Sequence, residues 1–231
     1  MGSGGAFLAL WNDLERGHEA EYDIWHTREH VPERVAAPGF RSGRRYVAPD
    51  HPVHRWFTLY DVAELGCFET PEYLDLLHNP TPWSAGMRPR FRNFLRVPCK
   101  VTGLAGFGLG AALAVLRLPD EAALHALEEL VRQPGIVATR FGRRKDASAP
   151  SGGLRAGAEG SGVPDDFTAV LLLEALTRDA AARAFSAAAE RFLAPHLAAG
   201  LAGGVYDLAF AFPSADPAER NAHRRPHWPI R

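Results

Sequence analysis

The sequence predicts an α+β fold in which two tandem β-α-β-β-α-β units pack sheet to sheet as one fused α/β barrel. The order strand, helix, strand, strand, helix, strand occurs twice along the chain. In each half a Pro-Gly pair, Pro38-Gly39 and Pro134-Gly135, ends the first helix and opens a strand that closes on an arginine and an aromatic residue. Both helices of such a unit lie on one face of its sheet, so the other face must be covered by the second unit.

In the first half, alternating apolar residues predict strands over residues 6–12, 40–48, 54–63 and 91–97. Helical periodicity predicts one helix over 18–36 and another over 70–77. The second helix is broken by Pro80 and Pro82 and resumes over 84–87, because proline cannot continue the hydrogen-bonding of a helix. Residues 6–103 therefore form a first ferredoxin-like repeat.

The second half, residues 110–213, repeats this order in a degenerate form. Strands are predicted over 111–118, 136–144, 167–175 and 205–212, and helices over 121–132 and 178–199. Residues 146–165 are rich in small and polar residues and predict a flexible loop or a lid. The basic tail, 214–231, either trails from the barrel or docks through Trp228 and Ile230.

Composition narrows the function classes. The 231 residues include 26 basic and 27 acidic side chains, so no global positive field draws the chain to nucleic acid or to an anionic membrane. Two cysteines are too few for a disulfide framework, and the reducing cytoplasm is the expected compartment. We see no signal peptide and no apolar run of about 20 residues, the length of a membrane span. The expected partner is a small-molecule substrate, and a homodimer is left open.

The helix over 18–36 carries the most informative pattern. On a helical wheel Ala20, Ile24, Val31 and Val35 share one stripe, which is an ordinary packing stripe. A second row aligns Tyr22, His26 and His30 at four-residue spacing. Imidazoles beside an aromatic wall suit acid-base chemistry, metal ligation or haem ligation. The alternative is a solvated row paired with nearby glutamates.

Further candidates for shaping a binding site lie in the same half. Arg44 or Arg45 could bind a carboxylate or an enolate, and Asn12 could position a carbonyl. For each aromatic residue the competing interpretation is simple core filling. The substrate-binding candidates are Trp11, Asn12, Tyr22, Trp25, Arg45, Tyr46, His54, Trp56, Tyr60, His78 and Trp83.

A metal site built from His26, His30 and either a glutamate or His54 is an alternative, but the spacing fixes no third ligand. The sequence has no phosphate-binding loop, dinucleotide fingerprint or nucleophile elbow. The glycines between 106 and 110 precede a strand and indicate a linker between the halves. We therefore expect no cofactor, with haem or a metal ion as the alternative.

The aromatic and histidine spacing, the sequence His30-Val31-Pro32, and the Pro-Gly pair before a strand ending in Arg-Tyr resemble the EthD-like branch of the dimeric α/β-barrel superfamily. The resemblance covers residues 6–97. It implies a pocket between the sheet and the helices of the first unit, with His30 pointing into it. In the second half Ala126 stands at the equivalent position, so only the first half is expected to hold a site.

The resemblance implies a cofactor-free enzyme: a cyclase, dehydratase, decarboxylase, isomerase or monooxygenase. Its substrate would be a small, apolar, aromatic or polyketide-like molecule, with His30 as general acid/base assisted by His26. One alternative is a haem- or metal-dependent enzyme that uses the same imidazoles as ligands. The other is a barrel that binds a small molecule or serves a stress response without catalysis.

Overall fold

A computed structural model describes residues 5–145, 166–193, 202–213 and 221–228. Eight antiparallel strands form a closed barrel in the order β1-β3-β2-β8-β5-β7-β6-β4. The predicted α+β fold with a barrel is therefore confirmed. The strands are β1 (Ala6–Leu14), β2 (Phe40–Val47), β3 (Trp56–Val62), β4 (Phe91–Gly106), β5 (Ala112–Leu118), β6 (Ile136–Arg144), β7 (Ala169–Ala175) and β8 (Gly203–Pro213).

Helices lie on the outside of this barrel. Three short 3-10 helices, Leu65–Glu69, Arg88–Arg90 and Ala122–Ala126, precede or follow the α-helical segments. A π-helical turn, His26–His30, connects the first two α-helices. The α-helices are α1 (Glu19–Trp25), α2 (Val31–Val35), α3 (Pro71–His78), α4 (Pro82–Met87), α5 (Leu127–Leu130) and α6 (Arg178–Phe192).

Strand alternation sorts the side chains between the barrel interior and the layer under the helices. On β1, Phe7 and Trp11 point inward, where they pack with residues of the opposite strands such as Leu172. Leu8 and Leu10 point outward and pack against the first-half helices. The barrel interior is thus a packed core in the described part of the chain.

Charged side chains also enter the interior. The Arg44 guanidinium, only 3% exposed, donates to Glu174 at 2.6 Å and to Asp61 at 2.9 Å. Asp61 also accepts from Arg140. Burial raises the pKa of Asp61, but the two arginines outweigh burial and hold that pKa below its ordinary value. The pairs join β2 and β3 to β6 and β7, across the two halves of the chain.

Several predicted boundaries differ from the structure. Strand β4 continues well beyond residue 97, because its first part pairs with β1 and its second part pairs with β6. The helix predicted over 121–132 is a 3-10 turn followed by the four-residue α5. The strand predicted from 54 begins at Trp56, since His54 has a left-handed backbone (φ 72°) that a strand cannot contain.

The π-helical turn explains why the wheel of the first helix is only partly correct. A π turn contains one more residue than an α turn, so it advances the sheet-facing positions by one residue. Val31 and Val35 are fully buried after the turn, whereas Ile24, predicted on the same stripe, is 46% exposed before it. The same shift keeps Tyr22 and His26 facing the sheet.

The tail docks on the first-half helices through Trp228, which is 6% exposed and packs in the core under α3. Its indole Nε1 donates to Asp75 at 2.9 Å, and Arg225 pairs with both Asp75 and Glu33. Ile230 and the loop over 146–165 lie outside the described residues. Among the helices of the described ranges, none is both long and apolar enough to cross a membrane.

Candidate active site

A pocket opens between the sheet and the helices of the first half. It encloses about 530 Å³, counting the part of its mouth that is open to solvent. Aromatic and aliphatic side chains from β1 to β4 form its floor, and the first-half helices form its walls. The lining residues are Leu8, Leu10, Trp25, His30, Arg34, Phe40, Tyr60, Tyr73, Leu77, Ser84, Arg88, Phe91, Phe94 and Arg96.

His30 is positioned by a column of rings on the first helix. Its imidazole lies 4.3 Å from the Trp25 ring and 5.3 Å from the His26 ring, centroid to centroid. Tyr22 continues the column, 5.0 Å from His26. The column stays in line across three turns because the π turn compensates the drift of an α-helix at four-residue spacing.

The two nitrogens of the His30 ring have different surroundings. Nδ1 is buried and has no hydrogen-bond partner among the described residues, whereas Nε2, which also makes no hydrogen bond to them, is not among the buried unpaired atoms. Burial holds the pKa of His30 well below its ordinary value, and the neighbouring Arg34 lowers it further. The imidazole is therefore neutral near pH 7 and able to accept a proton.

His26 lies behind His30 and does not line the pocket. Its Nε2 shares a 3.3 Å hydrogen bond with the Thr58 hydroxyl. Burial and the charge of Arg45 hold the pKa of His26 well below its ordinary value. Tyr22 closes this layer, where its hydroxyl donates to the Asn12 side-chain oxygen at 3.3 Å. Asn12 and Tyr22 thus support the histidine column from below.

Glu29 fixes the pocket wall between the first helix and α4. Its Oε1 accepts hydrogen bonds from the Trp25 indole at 3.2 Å, the Thr81 hydroxyl at 2.6 Å and the Ser84 hydroxyl at 3.0 Å. Thr81 is also the N-cap of α4, since its hydroxyl accepts from the Ser84 backbone N–H. This carboxylate therefore holds Trp25 against the pocket.

Tyr60 contributes a second unpaired polar atom. It lies on β3, lines the pocket, and its buried hydroxyl has no hydrogen-bond partner in the described ranges. Burial raises the pKa of Tyr60 far above neutrality, so the hydroxyl stays protonated. It can donate a hydrogen bond to an oxygen of a bound ligand.

The remaining predicted site residues lie outside the lining. Trp11 and Tyr46 pack inside the barrel. Trp56 packs 5.6 Å from Tyr22, beside the pocket wall. His54 bonds through Nε2 to the Asn93 carbonyl at 2.8 Å and faces Trp11.

Two arginines of β2, Trp83 and His78 also lie outside the pocket lining. Arg45 is paired with Asp23 at 2.6 Å, and Arg44 is used in the barrel interior, so neither arginine reaches the pocket. The Trp83 indole donates to Glu21 at 3.2 Å near the surface. His78 is exposed at the end of α3.

Sequence reasoning missed three arginines of the pocket, Arg34, Arg88 and Arg96. Arg34 follows His30 by four residues and so continues the column of Tyr22, His26 and His30, a signal that was available. Arg96 follows Phe94 by two on β4, opposite Leu10, and therefore shares the outward face of the sheet. Arg88 begins the 3-10 helix Arg88–Arg90, and no periodic pattern in the sequence predicts where this helix lies.

In the second half, small and aliphatic side chains fill the layer between the described helices and the sheet. The sheet-facing side of α6 consists of alanines, among them Ala181, Ala184 and Ala188, which allow close approach to the sheet. Leu124 and Leu127 fill the space over Gly103, where a Cβ would come within 2.5 Å of both side chains. Ala126, which the sequence predicts at the position equivalent to His30, is buried in this apolar layer.

No cluster of three or more metal-ligating side chains occurs within residues 5–145, 166–193, 202–213 and 221–228. Two imidazoles, His26 and His30, stand near each other, and the described part of the chain gives them no carboxylate or third imidazole as a further ligand.

No protein-family model matches the sequence, and no curated protein matches it. Solved structures do resemble it. A crystal structure of an anthrone oxidase-like protein has a TM-score of 0.56 and 10% identity, over 93% of this chain and 95% of the other. A protein from Fusobacterium nucleatum subsp. nucleatum, provisionally named a monooxygenase, has a TM-score of 0.56 and 9% identity, over 93% and 96%. These likenesses show a shared α/β-barrel fold.

Proposed function

We propose that the chain is a cofactor-free enzyme of the EthD-like type, which uses His30 as general acid/base on a small aromatic or polyketide-like molecule. The observation that carries the proposal is a neutral imidazole on the wall of an apolar pocket, with no hydrogen-bond partner in the described part of the chain. A base needs a free lone pair in contact with its substrate, and Nε2 of His30 offers one when the proton resides on Nδ1.

The chemistry begins with proton transfer. Nε2 of His30 removes a proton from an acidic C–H or O–H group of the substrate, and negative charge develops on a conjugated oxygen. The Tyr60 hydroxyl donates a hydrogen bond to that oxygen, which lowers the barrier because the donor is already in place. Cyclisation, dehydration, decarboxylation, isomerisation or reaction with O₂ can all proceed from such an anion.

Anthrone is a suitable first substrate, because a structural neighbour is described as anthrone oxidase-like. Loss of a C10 proton gives the anthrone anion, and its reaction with O₂ yields anthraquinone and one water. Formation of anthraquinone is followed by absorbance, and O₂ consumption by an electrode. Related naphthols and polyketide-like ketones, each with and without a carboxylate, extend the panel.

His30→Asn should lower turnover about a hundredfold or more, the usual contribution of acid-base catalysis. The variant should stay folded, because the lost ring lies at the pocket and not in the core. His78→Asn is the matched control, since His78 is exposed. Full activity in His30→Asn would refute the role of His30. An intense Soret band in freshly purified protein would show bound haem. It would contradict this proposal and support the haem-dependent alternative.

We also propose that the two halves are tandem ferredoxin-like repeats, the second one degenerate. Supporting this, the sheet order within the first half, β4-β1-β3-β2, is the same as the order within the second half, β8-β5-β7-β6. An experimental structure in which residues 6–103 and 110–213 fail to superimpose would contradict the repeat. The domain limits stay predictions until then.

A further inference from the structure

The charged side chains that line the pocket are all of one sign. Arg34, Arg88 and Arg96 contribute to the lining, and the described part of the chain contributes no aspartate or glutamate to it. Their positive charge acts on a ligand to the extent that nearby acidic groups do not neutralise it.

Glu33 and Asp75 are the acidic groups beside Arg34. Glu33 accepts from Arg34 at 3.1 Å, but it also pairs with Arg225 of the docked tail at 2.8 Å. Asp75 is occupied by Arg225 and by two further donors of the tail, His227 and Trp228. Both carboxylates are therefore shared with the tail, and neither of them forms an ion pair with Arg88 or Arg96.

Arg88 and Arg96 have only neutral hydrogen-bond acceptors among the described residues. Arg88 donates to the Leu76 carbonyl at 3.1 Å, and Arg34 reaches the same carbonyl at 3.5 Å. Arg96 donates to the Tyr73 hydroxyl at 3.1 Å, and its Nε is buried without a partner. Guanidinium groups at the edge of a low-dielectric pocket favour a carboxylate, which they can bind in a bidentate manner.

Arg96 is also held in place. Its guanidinium lies 5.5 Å from the Phe68 ring centroid and 5.7 Å from that of Tyr73, on the outward face of β4. Stacking on aromatic rings orients the planar group without neutralising it. A group fixed in this way loses little conformational freedom when a ligand binds.

We infer that the pocket selects aromatic ligands that carry a carboxylate, which Arg96 and Arg88 bind at the end of an otherwise apolar site. This inference rests on the proposed function, in which the pocket binds the substrate. It specifies the class of that substrate. The carboxylate end would be fixed by the arginines, and the aromatic body would lie against Trp25, Phe91 and Phe94, within reach of His30.

The test compares 2-naphthoate with 2-naphthamide, two probes of nearly equal shape that differ in charge, by isothermal titration calorimetry. We expect naphthoate to bind at least about tenfold more tightly. Arg96→Gln or Arg88→Gln should remove most of that difference and leave naphthamide binding unchanged. Arg96→Lys, which keeps the charge, should retain part of it.

Arg92→Gln is the matched control, because Arg92 lies on the same strand but is exposed and outside the pocket. Equal affinities for the two probes, or no binding of either, would overturn the inference. The turnover test of His30→Asn is independent of this binding experiment. A pocket that binds naphthoate through Arg96 but performs no catalysis would refute only the proposed function.

Discussion

The imidazole rings of His26 and His30 lie 5.3 Å apart, and the Nδ1 atom of each is buried without a hydrogen-bond partner among the described residues. Two protonated imidazoles at this distance would repel each other in a site that burial already makes unfavourable for charge. Burial lowers the pKa of both imidazoles, so the pair is neutral near pH 7.

On a converted substrate, the acid limb of the kcat/KM profile should lie well below pH 6.5, because a general base acts only while it is unprotonated. Burial, and then the charge of Arg34, lower the pKa of His30. Arg34→Gln should therefore move the acid limb to higher pH, and Arg92→Gln should leave it in place. An acid limb at the pH of a free imidazole in the wild-type enzyme would contradict this.

Stability should fall on mild acidification because of His54. Burial, with a smaller effect of Arg117, lowers the pKa of His54 from 6.5 to about 4. Between these values the unfolded chain binds a proton that the folded protein does not, so the free energy of unfolding decreases as pH falls from 6.5 to 4. The difference corresponds to about 3 kcal/mol at most. Urea unfolding at several pH values measures it.

In the same experiment, His54→Gln should show a shallower loss of stability between pH 6.5 and 4 than the wild type. Glutamine can still donate to the Asn93 carbonyl, so much of the local structure is retained. His78→Gln serves as the control, since that side chain is exposed. An unchanged pH dependence in His54→Gln would show that His54 is not the group involved.

The docked tail should stabilise the first half measurably. Trp228→Ala removes a buried indole and should cost about 3 kcal/mol in the free energy of unfolding. Trp228→Phe keeps most of the packing and loses the hydrogen bond to Asp75, at a cost of about 1 kcal/mol. Phe107→Ala is the control, because Phe107 is 89% exposed. Equal stability of wild type and Trp228→Ala would mean that the tail is not docked in solution.

For the buried pair Arg44–Glu174, removing one charge should cost more stability than replacing both partners. Glu174→Gln leaves the Arg44 guanidinium with one carboxylate in the barrel interior and should cost about 3 kcal/mol. Replacing both partners by apolar residues, as in Arg44→Met with Glu174→Leu, should cost less than the single change, since no unpaired charge remains. Urea denaturation compares the three proteins. A double variant less stable than Glu174→Gln would contradict the argument.

Much of the fold is readable from alternation and turn residues. The eight strands were predicted in order, because period-two patterns and Pro-Gly breaks are local features that each strand carries in its own sequence. The barrel followed from the need to cover an apolar face. Strand lengths were harder to predict. The extension of β4 to Gly106 depends on its pairing with β6, which lies far away in the sequence.

The site was predicted in part. His30, Trp25 and Tyr60 line the pocket, whereas Trp11 and Tyr46 fill the barrel. Sequence alone does not tell which face of a strand points inward, since β1 and β3 carry large apolar side chains on both faces. The helical wheel also assumes a regular α-helix, and the π turn at His26–His30 makes that assumption wrong for Ile24.

Closure of the barrel determines when its strand pairs can form during synthesis on the ribosome. Strand β2 pairs on one side with β3, its neighbour in the sequence, and on the other with β8, which is synthesised much later. Until β8 emerges, one edge of β2 carries unpaired backbone donors and acceptors. A nascent chain whose β8 has not emerged from the ribosome is therefore expected to recruit chaperones or to aggregate, while a chain whose β8 has emerged should resist proteolysis within β2.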